Sequence, residues 1–399
     1  MSGPCRYGRP RRIRRGAALT LFLAGVLAAG AATGTWDDVG DTAEPAAQGR
    51  PADDGPAGSA TAERAARAAE RAVADGKSGT QAADDVVSRS GDRWSAVYTP
   101  GEFADFQAQL DGSYVGVGLW VRQRDDGRIT VSRVQPGGPA DRAGIAVGDR
   151  LDAVDGRPVQ GRPVTETVGR LRGDGPDGSG AAPGTPVRLD LDRGARHRSV
   201  TLHRTRLHTE NVTVDRPAGG DGPTRIKITA FAKGTGAAVR RALRTADPRD
   251  GLLLDLRGNT GGLVSEAVAT ASDFLDGGLV ATYDVHGSPR ALYAQGVGDS
   301  RTPLVVLVDG GTMSAAELLS GALQDRGRAV VVGSPTFGKG SVQMPTRLPD
   351  GSVAELTVGH YRTPSGRAVD GAGITPDLIA PDHAEERART VLSGLGTGA

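Results

Sequence analysis

Two residues in the C-terminal half could do chemistry together: Ser314 and Lys339, 25 positions apart. A serine hydroxyl becomes a nucleophile only beside a base, and a neutral lysine amine can be that base. The chain has 48 Lys+Arg, yet only Lys77, Lys227, Lys233 and Lys339 are lysines. Elsewhere positive charge is supplied by arginine, whose guanidinium stays protonated, whereas burial can lower a lysine's pKa far enough to make it basic. Lys339 sits between Gly338 and Gly340, after Phe337, in an uncharged setting. The six histidines (His197, His203, His208, His286, His360, His383) show no metal-ligand spacing and no HExxH run. No GxSxG elbow accompanies them, so neither a metal mechanism nor a classical triad has its residues.

The elements around these two residues must hold them at one edge of a sheet. Residues 304–308, LVVLV, form an uninterrupted apolar run, which reads as a strand buried on both faces. Ala315, Leu318, Leu319, Ala322 and Leu323 then recur at helical spacing, and 329–332 is a second apolar strand. Strand, helix, strand in so short a span is a βαβ unit with parallel strands. Ser314 falls at the strand-to-helix turn and Lys339 just past the next strand, on the side where α/β proteins carry their chemistry. Residues 333–339 also fit GxxxxGK, a phosphate-cradling loop. Gly340 stands where a Mg²⁺-binding hydroxyl would be needed. The alternating stretch 341–345 leads to Pro345, not into a helix N-terminus.

The run SAAELLSGALQDRGRAVVVGSPTFGKGSVQ at 314–343 resembles the carboxyl-terminal processing (tail-specific) proteases, serine endopeptidases that use a Ser-Lys dyad. The resemblance implies that Ser314 is the nucleophile and Lys339 the general base, with the family's spacing. It implies that Gln343 orients the lysine and that Asp325, Glu317 and Thr336 support the site. Ala316 departs from the family, which usually has a serine there. The stretch 255–262, DLRGNTGG, matches DLRxNxGG with Thr260 in place of the commoner proline. A glycine turn at a helix start presents N–H groups, as an oxyanion hole requires. The resemblance gives one oxyanion donor to the Gly261–Gly262 pair, with Gly261 placed first, and the other to the Ala315 N–H.

Upstream, residues 113–206 read as short alternating strands, one helix near 165–171 and glycine turns. With GIAVGDRLDAVDG at 144–156, this resembles a PDZ domain of the permuted bacterial type. Gly116, Val117, Gly118 and Leu119 are then the loop that receives a peptide carboxylate, through backbone N–H groups and an adjacent strand edge. The implied partners are protein or peptide substrates with apolar C-termini.

Net charge +1 argues against a nucleic-acid partner. One cysteine, Cys5, excludes an internal disulfide framework. No cofactor and no metal are called for. Six arginines between Arg6 and Arg15 precede an apolar run at 16–34, with Ala29-Gly30-Ala31 as a candidate cleavage site. Residues 1–36 therefore read as a signal peptide or membrane anchor, the only membrane contact expected, and place the protein outside the cytoplasm, secreted or anchored. Residues 37–61 read as a disordered linker. The expected division continues with a helical region at 62–112, the PDZ domain at 113–206, the serine protease domain at 207–382 and a tail at 383–399. The helical region could pack on the catalytic body or on a second subunit, so oligomerisation stays open. The fold class expected is α/β: a crotonase-like core of stacked βαβ units, an inserted PDZ domain and N-terminal helices. The reading is a C-terminal processing endopeptidase; the alternative is a catalytically weak PDZ peptide-binding or regulatory module.

Overall fold

The computed structural model describes residues 57–396, apart from 125, 174, 176–179, 217–221, 247–249 and 286–287. The expected targeting segment and nearly all of the expected linker lie outside the described residues. Helix α1 (Ala57–Ala74) begins ahead of the expected linker end at 61 and takes in Gly58 and Ser59 in its first turn. Helix α2 (Gly79–Ser88) follows, its first turn capped by the Ser78 hydroxyl accepting from the Gln81 N–H at 3.2 Å. The next residues are not helical as expected. Ala96–Tyr98 is a short strand, β1, favoured by Val97 and Tyr98. Thr99 then caps helix α3 (Pro100–Leu110) with a full capping box to Glu102 and proline at its start.

The next unit is antiparallel. It comprises β2 (Ser113–Gly116), β3 (Leu119–Gln123), β4 (Ile129–Val134), α4 (Pro139–Arg142), β5 (Arg150–Val154), β6 (Arg157–Pro158), α5 (Val164–Arg172), β7 (Pro186–Arg193), β8 (Arg196–His203) and β9 (Thr205–His208). Its sheet runs β3-β4-β5-β7-β8, with β6 beside β5 and a separate β2–β9 pair. Inward residues Ile129, Val131, Leu151, Val154, Leu189 and Leu202 form its own core. Strand β3 is an edge, and α5 packs beside it.

The remaining chain builds a parallel sheet flanked by helices. Its elements are β10 (Val212–Asp215), β11 (Thr224–Ile228), α6 (Thr235–Leu243), β12 (Leu252–Asp255), α7 (Val264–Phe274), the hairpin β13 (Leu279–Val285) and β14 (Ser288–Tyr293), β15 (Leu304–Val308), α8 (Ala315–Asp325), β16 (Val330–Gly333), β17 (Ser341–Arg347), β18 (Val353–Arg362), β19 (Leu378–Ile379) and α9 (Ala384–Gly396). The central order is β10-β11-β12-β15-β16-β19, parallel from β11 onward. Every residue of β15 is buried, and its side chains alternate between two cores. Leu304, Val306 and Val308 face α7 and α8, packing with Ala267, Ala271 and Leu319. Val305 and Leu307 face α9, packing with Ala384, Ala388 and Leu392. Helix α9, in the segment expected as a tail at 383–399, is therefore a covering layer.

A second sheet, β1-β18-β13-β14 with β17 on β18, packs against α8 through β13. The N-terminal helices close onto it within the same chain. Ala65, Ala69, Ala83 and Val87 pack with Leu348, Ala354 and Leu356.

Candidate active site

Ser314 lies where β15 has ended and α8 begins, and its backbone is unusual. Its φ is +52°, a left-handed value that a side-chain-bearing residue rarely adopts and that must be held by its surroundings. The restraint comes from Glu317, one turn into α8 and completely buried. Its Oε2 accepts the N–H of Ser314 at 2.8 Å and of Lys339 at 2.9 Å. Its Oε1 accepts the N–H of Gly338 at 2.7 Å and the hydroxyl of Thr336 at 2.5 Å. Thr336 in turn accepts the Ile374 N–H at 2.7 Å. Burial raises the Glu317 pKa, against the pull of these four donors. Tyr361, also buried, directs its hydroxyl at the carbonyls of Ser314 (2.9 Å) and Lys339 (3.1 Å). One carboxylate and one phenol thus tie the serine turn to the lysine loop. The same bonds remove the nucleotide reading: the loop N–H groups of Gly338 and Lys339 hold an internal carboxylate, not a phosphate.

Lys339 is 0 % exposed. Burial lowers its pKa to about 8, opposed by the negative charges of Glu355, Asp92 and Glu317. Its Nζ lies 5.3 Å from the centre of the Trp94 ring. Trp94 packs against Phe337 and donates its indole N–H to Asp370 at 3.2 Å. The lysine is therefore roofed by the segment leading into β1, a contribution that periodicity in the sequence could not assign.

The other expected site residues divide. Gln343, fully buried, donates to Ser341 Oγ at 2.7 Å and Thr357 Oγ1 at 3.3 Å, while its Oε1 receives no hydrogen bond. Its amide is thus engaged behind the lysine loop. Asp325 does not join the site. It closes the far end of α8, eleven residues and so about 16 Å from Ser314. There it accepts the Ser365 N–H at 2.9 Å and pairs with Arg367, anchoring the turn after β18.

The turn at 258–262 lies directly against the serine. A Cβ at Gly261 would stand 2.9 Å from Ser314 Cβ, and one at Gly262 would stand 2.4 Å from Phe231 O. Neither position has room for a side chain. The expected preference for Gly261 as oxyanion donor is corrected by its own hydrogen bond: its N–H is spent on Asn259 Oδ1 at 2.9 Å. Among the described residues Gly262 is the member of the pair whose N–H has no acceptor. Ala315, the first residue of α8, has an N–H that a helix leaves unpaired. Asn259 went unweighted in the sequence. It joins three strand ends, through Nδ2 to Ile228 O (3.0 Å), Oδ1 to Gly261 and its carbonyl to the Met313 N–H (2.8 Å).

Beside Ser314 a cleft is lined by Val264, Tyr283, Leu292, Leu318, Val342 and Tyr361, an apolar wall with the serine at its edge. In the antiparallel unit, Gly116, Val117, Gly118 and Leu119 join β2 to the edge strand β3, with Gly118 at φ +75°. The carbonyls of Val117 and Gly118 accept from Ala140 and Gln135, which fixes the loop. Asp152, Asp192 and His197 come together on the same unit. Arg150 already pairs with both carboxylates there, so a guanidinium occupies the cation's role.

Residues 224–380 match peptidase family S41, and residues 130–177 match a PDZ domain. The chain is 34 % identical over 319 residues to carboxyl-terminal-processing peptidase 2 of Arabidopsis thaliana, a chloroplastic protein, covering 74 % of this chain and 59 % of that one. It is 31 % identical over 307 residues to carboxy-terminal processing protease CtpA of Bacillus subtilis (strain 168), covering 75 % and 64 %. The chain thus spans about 60 % of the length of these relatives. A solved structure, the photosystem II D1 C-terminal processing protease, aligns over 85 % of this chain and 97 % of that one at 28 % identity, with a TM-score of 0.48. The chain belongs to peptidase family S41 and carries a PDZ domain ahead of its parallel-sheet half.

Proposed function

We propose that this protein is a serine endopeptidase of the C-terminal processing type, with Ser314 as nucleophile and Lys339 as general base. The observation that carries the reading is the shared carboxylate. Glu317 binds the backbone of both residues, and the lysine it holds is fully buried with its pKa lowered. Neutral Lys339 accepts the hydroxyl proton as Ser314 Oγ bonds to the scissile carbonyl carbon. The N–H groups of Ala315 and Gly262 receive the oxyanion. The resulting ammonium then gives its proton to the departing amine, and water repeats the sequence on the acyl-enzyme. The apolar cleft beside Ser314 favours an apolar side chain before the cut.

The loop at 116–119 and the open edge of β3 support a role for the PDZ unit in holding the C-terminus of a substrate, as an added strand with its carboxylate among loop N–H groups. Apolar C-terminal residues are the preferred ends. The division at 113–206 and 207–382 is the working assignment of recognition and cleavage. The basic and apolar stretch at 6–34 supports action on exported or unfolded proteins outside the cytoplasm. Among the described residues no helix is long and apolar enough to cross a membrane.

The test is cleavage of an unfolded protein by purified Ser314→Ala and Lys339→Arg variants. Both should fold and both should be inactive, since a permanent guanidinium cannot accept the serine proton. Wild-type activity in Lys339→Arg would refute the dyad.

A further inference from the structure

Glu355 stands on β18 with 0 % exposure, and neither of its carboxylate oxygens has a hydrogen-bond partner. Its place in the sheet explains the lack of donors. It lies opposite Ala96 of β1 on one side and Pro345 of β17 on the other. A methyl group offers nothing, and proline has no N–H. Burying a bare carboxylate costs stability, and folds rarely tolerate one without a reason outside packing.

The reason lies in what the carboxylate faces. Glu355 shares its sheet face with Thr357 and, across the ladder, Gln343, the pair behind the lysine loop. The charge acting on it is that of Lys339, and the neighbouring phenol is Tyr98 of β1. Three carboxylates, Glu355, Asp92 and Glu317, act on the Lys339 charge, but two are occupied. Asp92 accepts the Trp94 N–H at 2.9 Å and the Ser95 hydroxyl at 2.5 Å. Glu317 accepts four donors. Glu355 is the one whose charge is spent on nothing but the lysine.

We propose that Glu355 is a positioning residue of the dyad, a buried counter-charge that steadies the Lys339 ammonium formed when the Ser314 proton is transferred. The inference rests on the Ser314–Lys339 reading above. Glu355 neither takes nor gives a proton in the step. The Oγ–H bond breaks, the Nζ–H bond forms, and the proton leaves with the amine. Burial pushes the Glu355 pKa up to about 7, and only the lysine pulls it down, so its charge is available in the pH range where the base operates.

The experiment is the pH dependence of kcat/KM for the full chain on an unfolded protein, with melting temperatures measured alongside. Glu355→Gln removes the charge that holds the lysine's pKa up. Its acid limb should therefore move to lower pH, by roughly one unit, while the plateau falls about tenfold. At pH 9, where Lys339 is mostly neutral, the melting temperature should stay level or rise, because no hydrogen bond is lost and a buried charge is removed. Glu355→Asp should keep its limb nearer the wild type than Glu355→Gln does. A wild-type profile in Glu355→Gln overturns the inference, as does a variant that unfolds or loses stability with its limb unmoved. Ser314→Ala separates the two readings. If it still cleaves, the dyad itself is wrong; if it is inert while Glu355→Gln behaves as wild type, only the role of Glu355 falls.

Discussion

Replacing Glu317 by glutamine tests the clamp that joins the two halves of the site. The carboxylate offers acceptors on both sides: Oε2 to the N–H groups of Ser314 and Lys339, Oε1 to the Gly338 N–H and the Thr336 hydroxyl. Glutamine keeps one acceptor and turns the other into a donor. Of the four partners only the Thr336 hydroxyl can reverse its role, so the amide nitrogen belongs on the Oε1 side. That choice leaves the Gly338 N–H buried and facing another donor, at about 1–3 kcal/mol. The three remaining bonds lose their charge assistance, roughly 1 kcal/mol each. The combined loss is on the order of 4 kcal/mol, a large share of a typical domain's stability. Relief of the buried charge reduces it. Urea denaturation of both proteins, followed by fluorescence of the three tryptophans, measures the difference. Labelling of Ser314 with a fluorophosphonate measures whether the strained φ of +52° and the nucleophile survive. A Glu317→Gln protein within 1 kcal/mol of wild type, labelling at the same rate, would refute the clamp.

Lys339 as the proposed base works only when neutral, so activity should be low below pH 7 and rise through about pH 8, where burial has placed its pKa. A stopped assay across pH 6–10 checks this, and an acid limb near 6.5 would point to a histidine instead. For the PDZ loop, amidating the C-terminus of a peptide ending in leucine, valine or alanine should weaken binding by about 1.5–3 kcal/mol, the worth of charge-assisted hydrogen bonds. Calorimetric titration of both peptide forms into the Ser314→Ala full chain reads this, and equal affinities would place tail recognition elsewhere.

The parallel core was legible because its strands are continuous apolar runs, which need no tertiary information to be read: the runs at 304–308 and 329–332 became β15 and β16 (Val330–Gly333), paired in parallel. The serine turn followed from that order. Other features were not legible because they depend on contacts far apart in sequence. Asp325 carries the same chemistry as a site carboxylate, and only the length of α8 removes it. Gly261 and Gly262 look alike in the sequence, and the Asn259 side chain alone decides which N–H is spent. The hairpin β13–β14 was not read at all: Tyr283 and Leu292, which line the cleft, lie in a stretch where Pro289 and polar residues break the alternation. Trp94 and Glu355 are more than 200 residues apart, and their joint place around Lys339 exists only once β1 has paired with β18.

That pairing addresses a physical conflict at the centre of the site. A lysine serves as a base only if it is kept from water, and a buried lysine needs nearby negative charge to be tolerated. Supplied freely, the same charge would return the pKa to its ordinary value and abolish the base. Here the carboxylates are graded. Glu317, next to the dyad in sequence and space, directs its lone pairs into backbone N–H groups and a hydroxyl, so most of its charge goes to fixing geometry. Asp92 is likewise committed to its own turn. Glu355 is buried as deeply as the lysine itself, and burial opposes its ionisation as well. The Trp94 indole face also lies near the Nζ, and it attracts an ammonium without carrying net charge. The lysine is thereby set among carboxylates that are either committed to other donors or themselves opposed by burial, and its pKa stays lowered, to about 8, as the proposed role of a base requires.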